Sequence, residues 1–163
     1  MSRNTLVAYA LAISATGLCL PASAADPPKG GTYSAHFGWI FNGLTQALGV
    51  DRTVYAGMVS GVIFNDAGKG FLHKARVDRS LMNDVNKGHA NAKGTGVVTD
   101  AKGDKASLGW KCAGVMPACP GDELWVGGTG KYAGLNGVSK FQGNFIGTTG
   151  AGWSDWKGEY KLP

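Results

Sequence analysis

Past residue 24, this 163-residue chain has no apolar pattern of helical spacing that runs for ten residues, so no substantial helix is predicted. Cysteine and histidine are scarce, at three each. His36, His73 and His89 lie far apart and show no zinc-ligand spacing, so no metal site is predicted. Charge is also thin. Charged residues make up 17% of the chain, and the net +5 is spread along it rather than gathered into a basic cluster with aromatic platforms. Nucleic acid is therefore not a predicted partner. A solvated outer face explains the lysines better than attraction to an anionic polymer or membrane surface does. There is no serine elbow, and the adjacent Asp122 and Glu123 point to opposite faces of a strand, so they cannot share a site. Asp100 and Asp104 flank a turn that lacks the ligand run and terminal glutamate of a calcium loop. Enzyme chemistry of the usual types finds no support here, and no cofactor is predicted.

The amino terminus is informative. Arg3 supplies a short cationic start, Thr5 to Leu20 is almost wholly apolar, and Pro21-Ala22-Ser23-Ala24 offers small residues at a cleavage point. This pattern predicts a signal peptide over 1–24, a flexible lead over 25–31 and one domain over 32–163. The apolar run is short for a membrane span, so no stable membrane insertion is expected after cleavage, and the location is periplasmic or secreted. Cleavage removes Arg3 and Cys19, leaving 139 residues, a net charge of +4 and two cysteines, Cys112 and Cys119. In an oxidising compartment that pair reads as one local disulfide, worth about 2–3 kcal/mol at best for so short a loop.

Strand-like alternation recurs through the rest. Tyr33, Ala35, Phe37, Trp39 and Phe41 form one face of a first strand. Asn42 to Asp51 has room for one helical turn but is too short and glycine-bounded for a helix. From Arg52 to Asn65 both faces are largely apolar. Val54, Ala56, Met58, Ser60, Val62 and Phe64 are read as inward, with Tyr55, Val59 and Ile63 outward, which suggests a homo-oligomer. A strand over Phe71 to Leu81 places His73 with the apolar set Phe71, Ala75 and Val77. Further strands follow at Gly94–Thr99, Lys105–Cys112, Glu123–Val126 and Ser139–Gly147, and a last one carries Trp156, Gly158, Tyr160 and Leu162 on one side. Eight to nine short strands joined by glycine turns make an all-β antiparallel barrel or sandwich.

The most distinctive stretch is Trp125 to Gly143, with glycine at Gly127, Gly128, Gly130, Gly134, Gly137 and Gly143. That density abolishes a helix and suits a strand that turns sharply through positive φ and re-enters the sheet. Its spacing misses the nucleotide-binding fingerprints, and no helix follows to hold a phosphate, so the hairpin is structural. The pattern Val126-Gly-Gly-Thr-Gly-Lys-Tyr132 followed by Gly134 and Gly137 closely resembles the hairpin of the allene oxide cyclase and dirigent barrels. The resemblance covers about 20 residues and implies a single, closed antiparallel barrel of eight strands. Together with the signal peptide, it is similar to the small exported bacterial members of that superfamily. Those families orient phenoxy radicals or fold a fatty-acid epoxide by shaping a hydrophobic barrel mouth. Outside the hairpin no position here matches their functional motifs.

The aromatic load then defines the candidate site. Trp39, Phe64, His73, Trp110, Trp125, Phe141 and Trp156 are the predicted ligand-binding residues, with His73 the weak catalytic candidate. An inward histidine is more often hydrogen-bonded to a core partner than catalytic. Three readings follow. The first is an exported barrel that binds a small hydrophobic or aromatic ligand without turnover. The second is a dirigent- or cyclase-like barrel that steers an isomerisation or coupling. The third is a structural or surface-interaction barrel with a filled core.

Overall fold

The computed structural model describes residues 28–147 and 149–163. The expected signal peptide and residues 25–27 of the lead lie outside the described residues. The regular elements are eight strands: β1 Gly30–Gly49, β2 Arg52–Asn65, β3 Ala75–Asn86, β4 His89–Thr99, β5 Lys105–Val115, β6 Ala118–Gly128, β7 Asn136–Phe145 and β8 Ala151–Lys161. A 3-10 turn, Gly130–Tyr132, interrupts the chain between β6 and β7. Each strand pairs antiparallel with the next, and β1 pairs with β8, so the sheet closes into an eight-stranded barrel. Closure pairs Gly30 with Lys161 and Ile40 with Ala151 and leaves no free edge along that length. Gly30 and Gly31, expected in a flexible lead, are thus the first residues of β1.

β3, β4 and β6 have other bounds than the sequence reading gave them, and β1 and β2 differ from it in kind. Asn42–Asp51 is not a helical turn, because β1 continues to Gly49 and pairs residue by residue with β2 from Arg52 onward. Ladder pairing overrides a weak local preference. In β2 the two faces are exchanged. Val59 and Ile63 are buried in the core, with Tyr55 packed against it, whereas Met58, Val62 and Phe64 are exposed outside. The physical reason is visible at Gly61 and Gly57, which share the inward face. A Cβ on Gly61 would lie 1.8 Å from the Gly38 carbonyl oxygen, and one on Gly57 would lie 2.3 Å from that of Asn42. The concave side of a tightly coiled hairpin takes the residues without side chains. The suggestion of an oligomer surface formed by Tyr55, Val59 and Ile63 therefore loses its basis.

The barrel is closed at the end where β1 starts and β8 finishes. Phe71 comes from the β2–β3 connection rather than from a strand. It stacks on Tyr160 with ring centroids 3.8 Å apart, and meets Tyr33 at 5.0 Å, Trp125 at 5.6 Å and Tyr132 at 6.1 Å edge-on. Each such pair contributes about 0.5–1.5 kcal/mol beyond area burial, so this end is a solid aromatic plug. Its polar tips are satisfied internally. The Tyr33 hydroxyl and Ser139 Oγ share a hydrogen bond of 2.6 Å, and Trp125 Nε1 donates to the Tyr33 oxygen at 3.3 Å.

Candidate functional site

Toward the opposite end the core is not filled. A cavity of about 40 Å³ is lined by residues from all eight strands, among them Phe37, Trp39, Val59, Arg79, Ala92, Trp110, Cys119, Phe141 and Ser154. Three of its rings sit directly across the ladder from a glycine: Trp39 from Gly152, Trp110 from Gly94 and Phe141 from Gly121. A Cβ on those glycines would fall 2.3, 2.8 and 2.6 Å from the corresponding ring atoms. Each ring lies over its glycine and covers bare backbone, a pairing that pins register as well as ring position. The indoles are anchored at their nitrogens. Trp39 Nε1 donates to Ser154 Oγ at 3.2 Å, and Trp110 Nε1 donates to the Ser80 carbonyl at 3.1 Å. The Cys112–Cys119 disulfide joins β5 to β6 and forms part of the wall, with its Cα atoms 5.5 Å apart.

At the floor of the cavity lies a charged pair that the sequence reading did not single out. Arg79 is 3% exposed, and its Nη1 is 2.8 Å from Oε1 of Glu123, which is 2% exposed. This is an ion pair rather than a set of aligned hydrogen bonds, because both carboxylate oxygens lack a hydrogen-bond partner among the described residues. Arg79 Nε and Nη2 lack one as well. The guanidinium carbon sits 4.3 Å from the Trp110 ring centre, 5.0 Å from that of Phe141 and 5.4 Å from that of Trp156. Cation–π attraction of this kind is strongest where water is excluded. Burial pushes the Glu123 carboxyl up to about 7, with the Arg79 charge pulling the other way. Burial likewise lowers the Arg79 guanidinium and raises the Tyr33 phenol, the latter helped by Glu123.

Of the predicted ligand-binding residues, Trp39, Trp110 and Phe141 come together around the cavity. Trp156 is fully buried just beneath it, against Arg79. Trp125 belongs to the plug at the closed end. Phe64 faces outward at 46% exposure, and His73 packs edge-on against it at 6.0 Å, apart from the cavity. His73 does not continue a strand. It sits in the turn before β3, between Leu72 and Lys74, which both have positive φ. Arg79 and Glu123 did leave a signal, since each has the parity of inward neighbours, Val77 and Leu81 in one case and Trp125 in the other. The glycine hairpin has the backbone that glycine favours. Gly127, Gly130, Gly134 and Gly137 all have positive φ, and a Cβ on Gly128 would lie 2.1 Å from the Lys105 carbonyl oxygen. Asp100, at the neighbouring turn, is held by Lys131 Nζ at 2.6 Å.

A much larger concavity, about 1750 Å³, spreads around the waist of the barrel and takes in Thr32, Ser34, Met82, Lys93, Leu124 and Val138. It is more open than the end cavity, and its lining also includes Tyr33, Asn65, Glu123 and Ser139.

No protein-family model matches the chain, and no curated protein matches it significantly. Among solved structures, the pterocarpan synthase dirigent protein GePTS1 is similar, with a TM-score of 0.47 and 11% sequence identity over 91% of this chain and 99% of that one. The fold of the present chain is carried by its own strand order and closure.

Proposed function

We propose that this protein is an exported barrel that binds a small hydrophobic or aromatic ligand in its end cavity, without turnover of its own. The carrying observation is the contrast between the two ends. One is sealed by a stacked aromatic plug, and the other keeps a ring-lined cavity whose floor presents an unsatisfied guanidinium. Concave, mostly apolar sites with a few convergent polar groups are where small ligands bind. The disulfide in the wall fits an oxidising compartment. Binding is favoured over a steered isomerisation or coupling because both lining cysteines are disulfide-bonded and Glu123 stands behind Arg79, outside the lining.

The test uses benzamide, a neutral single ring larger than the void of about 40 Å³, which must widen to admit it, followed by tryptophan fluorescence. Wild-type protein is expected to give a saturable change. Ala92→Leu, which places extra volume on a buried lining position, is expected to abolish it without unfolding the barrel. No saturable response from the wild type, or an unchanged response from Ala92→Leu, overturns the reading in favour of a filled structural barrel.

A further inference from the structure

We propose that the far half of β1, Asn42 to Gly49, pairs edge to edge with the same strand of a second copy of this chain, making a two-fold dimer. The contact lies apart from the end cavity and does not rest on the ligand reading.

β1 has a strand on both sides only over its first half. β8 begins at Ala151, opposite Ile40. Beyond that point β1 is paired with β2 on one side and, among the described residues, with no strand on the other. The last bond on the β8 side runs from the Phe41 amide to the Gly150 carbonyl at 2.7 Å. Successive residues of a strand turn their amides to alternate sides, so the backbone groups of Gly43, Thr45 and Ala47 face the open side. The Ala47 carbonyl accepts instead from the side-chain amide of Gln46, at 3.1 Å. An unpaired edge is a template for another strand, and proteins usually blunt it with charge, proline or a bulge. Asn42 to Gly49 carries no charge and no proline, and all of it is exposed. Its register slips only at the far end, between Ala47 and Gly49.

The sequence of this edge fits itself. Gly43-Leu44-Thr45-Gln46-Ala47-Leu48-Gly49 reads nearly the same in both directions about Gln46. Antiparallel pairing about a two-fold axis at Gln46 sets Leu44 against the partner's Leu48, Thr45 against the partner's Ala47 and Gln46 against the partner's Gln46. Thr45 and Ala47 then exchange both backbone bonds. Leu44 and Leu48, which are 78% and 56% exposed, cover each other. Leu44 continues across its own sheet into Ala56 and exposed Met82, so the covered strip is wider than the strand. Charge selects the same contact. On the outer wall Lys93 faces Lys111 and Lys140 faces Lys157, where two copies repel, whereas Asn42 to Val50 holds no ionisable side chain. Seven residues at roughly 3.4 Å each make about 24 Å of contact, a small interface and therefore a reversible dimer. Pairing spends the open edge of both copies, so assembly stops at two.

Sedimentation velocity of the wild-type protein is expected to show a monomer–dimer equilibrium at concentrations on the order of 100 μM. Thr45→Pro removes an amide that faces the open side and leaves the β1–β2 ladder whole, so it is expected to abolish the dimer. Gln46→Lys sets like charges opposite each other on an exposed strand and is expected to weaken the dimer about fivefold or more, with its circular dichroism and Tm close to wild type. Gln46→Cys reads the register. Facing residues that are not hydrogen-bonded lie about 4.5 Å apart at Cα, within disulfide reach, so mild oxidation is expected to give a covalent dimer. Leu44→Cys, which faces the partner's Leu48, is expected to give far less. A wild type that stays monomeric, or that pairs only with a foreign strand, overturns the proposal. So does a dimer that survives both Thr45→Pro and Gln46→Lys, an assembly larger than two, or equal cross-linking of the two cysteine variants.

Discussion

Arg79 and Glu123 sit in the barrel as a pair because neither can be buried alone. Taking a charge out of water costs several kcal/mol, and attraction between the partners offsets this only when both are present. Arg79→Met alone is therefore expected to destabilise the protein by about 3–5 kcal/mol in urea unfolding, and the double change Arg79→Met, Glu123→Leu by far less. The pair also sets a pH dependence. The folded Glu123 pKa, about 7, lies above its ordinary value of 4.5, so between those values the folded state holds the proton more tightly than the unfolded chain does. This contribution favours folding at low pH and is lost as pH rises through about 4.5 to 7. Glu123→Gln is expected to remove that slope, seen as a smaller stability difference between pH 5 and pH 8 than in the wild type. An unchanged slope would place the titrating group elsewhere. Parity was the one sequence signal that could have marked either residue as inward, and the pairing left none, because it joins β3 to β6 across the barrel interior. Nor could parity show that His73, two residues before β3 begins, lies in a turn.

At the scale of elements, the cross-strand pairs of ring and glycine set where the cavity walls stand. A Cβ at Gly94 would lie 1.9 Å from the Ser80 carbonyl oxygen and 2.8 Å from Trp110 Nε1. Gly94→Ala is expected to destabilise by about 1–3 kcal/mol and to disturb Trp110 emission, because the indole must leave its seat over the strand. Normal stability with normal fluorescence would contradict that role. β5, β7 and β8 were legible in the sequence because their alternation has one clear apolar face, as in Ala106, Leu108 and Trp110. β2 was not. Both of its faces are apolar, and the choice between them depends on how closely β1 approaches Gly57 and Gly61, a feature of curvature rather than of hydrophobicity. Similarly, β3 and β4 extend through polar residues such as Asn83, Asn86 and His89, where composition suggests a loop and the ladder supplies the strand.

The whole molecule is a closed sheet with one end sealed by aromatic rings and a void of about 40 Å³ toward the other, and the Cys112–Cys119 disulfide lines that void. Replacing both cysteines by serine is expected to lower stability by about 2 kcal/mol and Tm by roughly 5–10 °C, with a larger proportional loss of ring binding than in a variant of equal stability altered at the plug. The all-β antiparallel fold and its disulfide were readable from alternation, glycine turns and cysteine count, and the hairpin's family resemblance pointed to the closed barrel. Which end is sealed was not readable, since it depends on Phe71 folding back under the barrel from outside any strand. The most direct test of the account is a two-dimensional NMR titration with benzamide that follows the indole N–H signals. The account predicts shifts at Trp39 and Trp110, with Trp125 in the plug and Trp153 on the outer wall unmoved. Shifts confined to Trp153, or none at all, would contradict it.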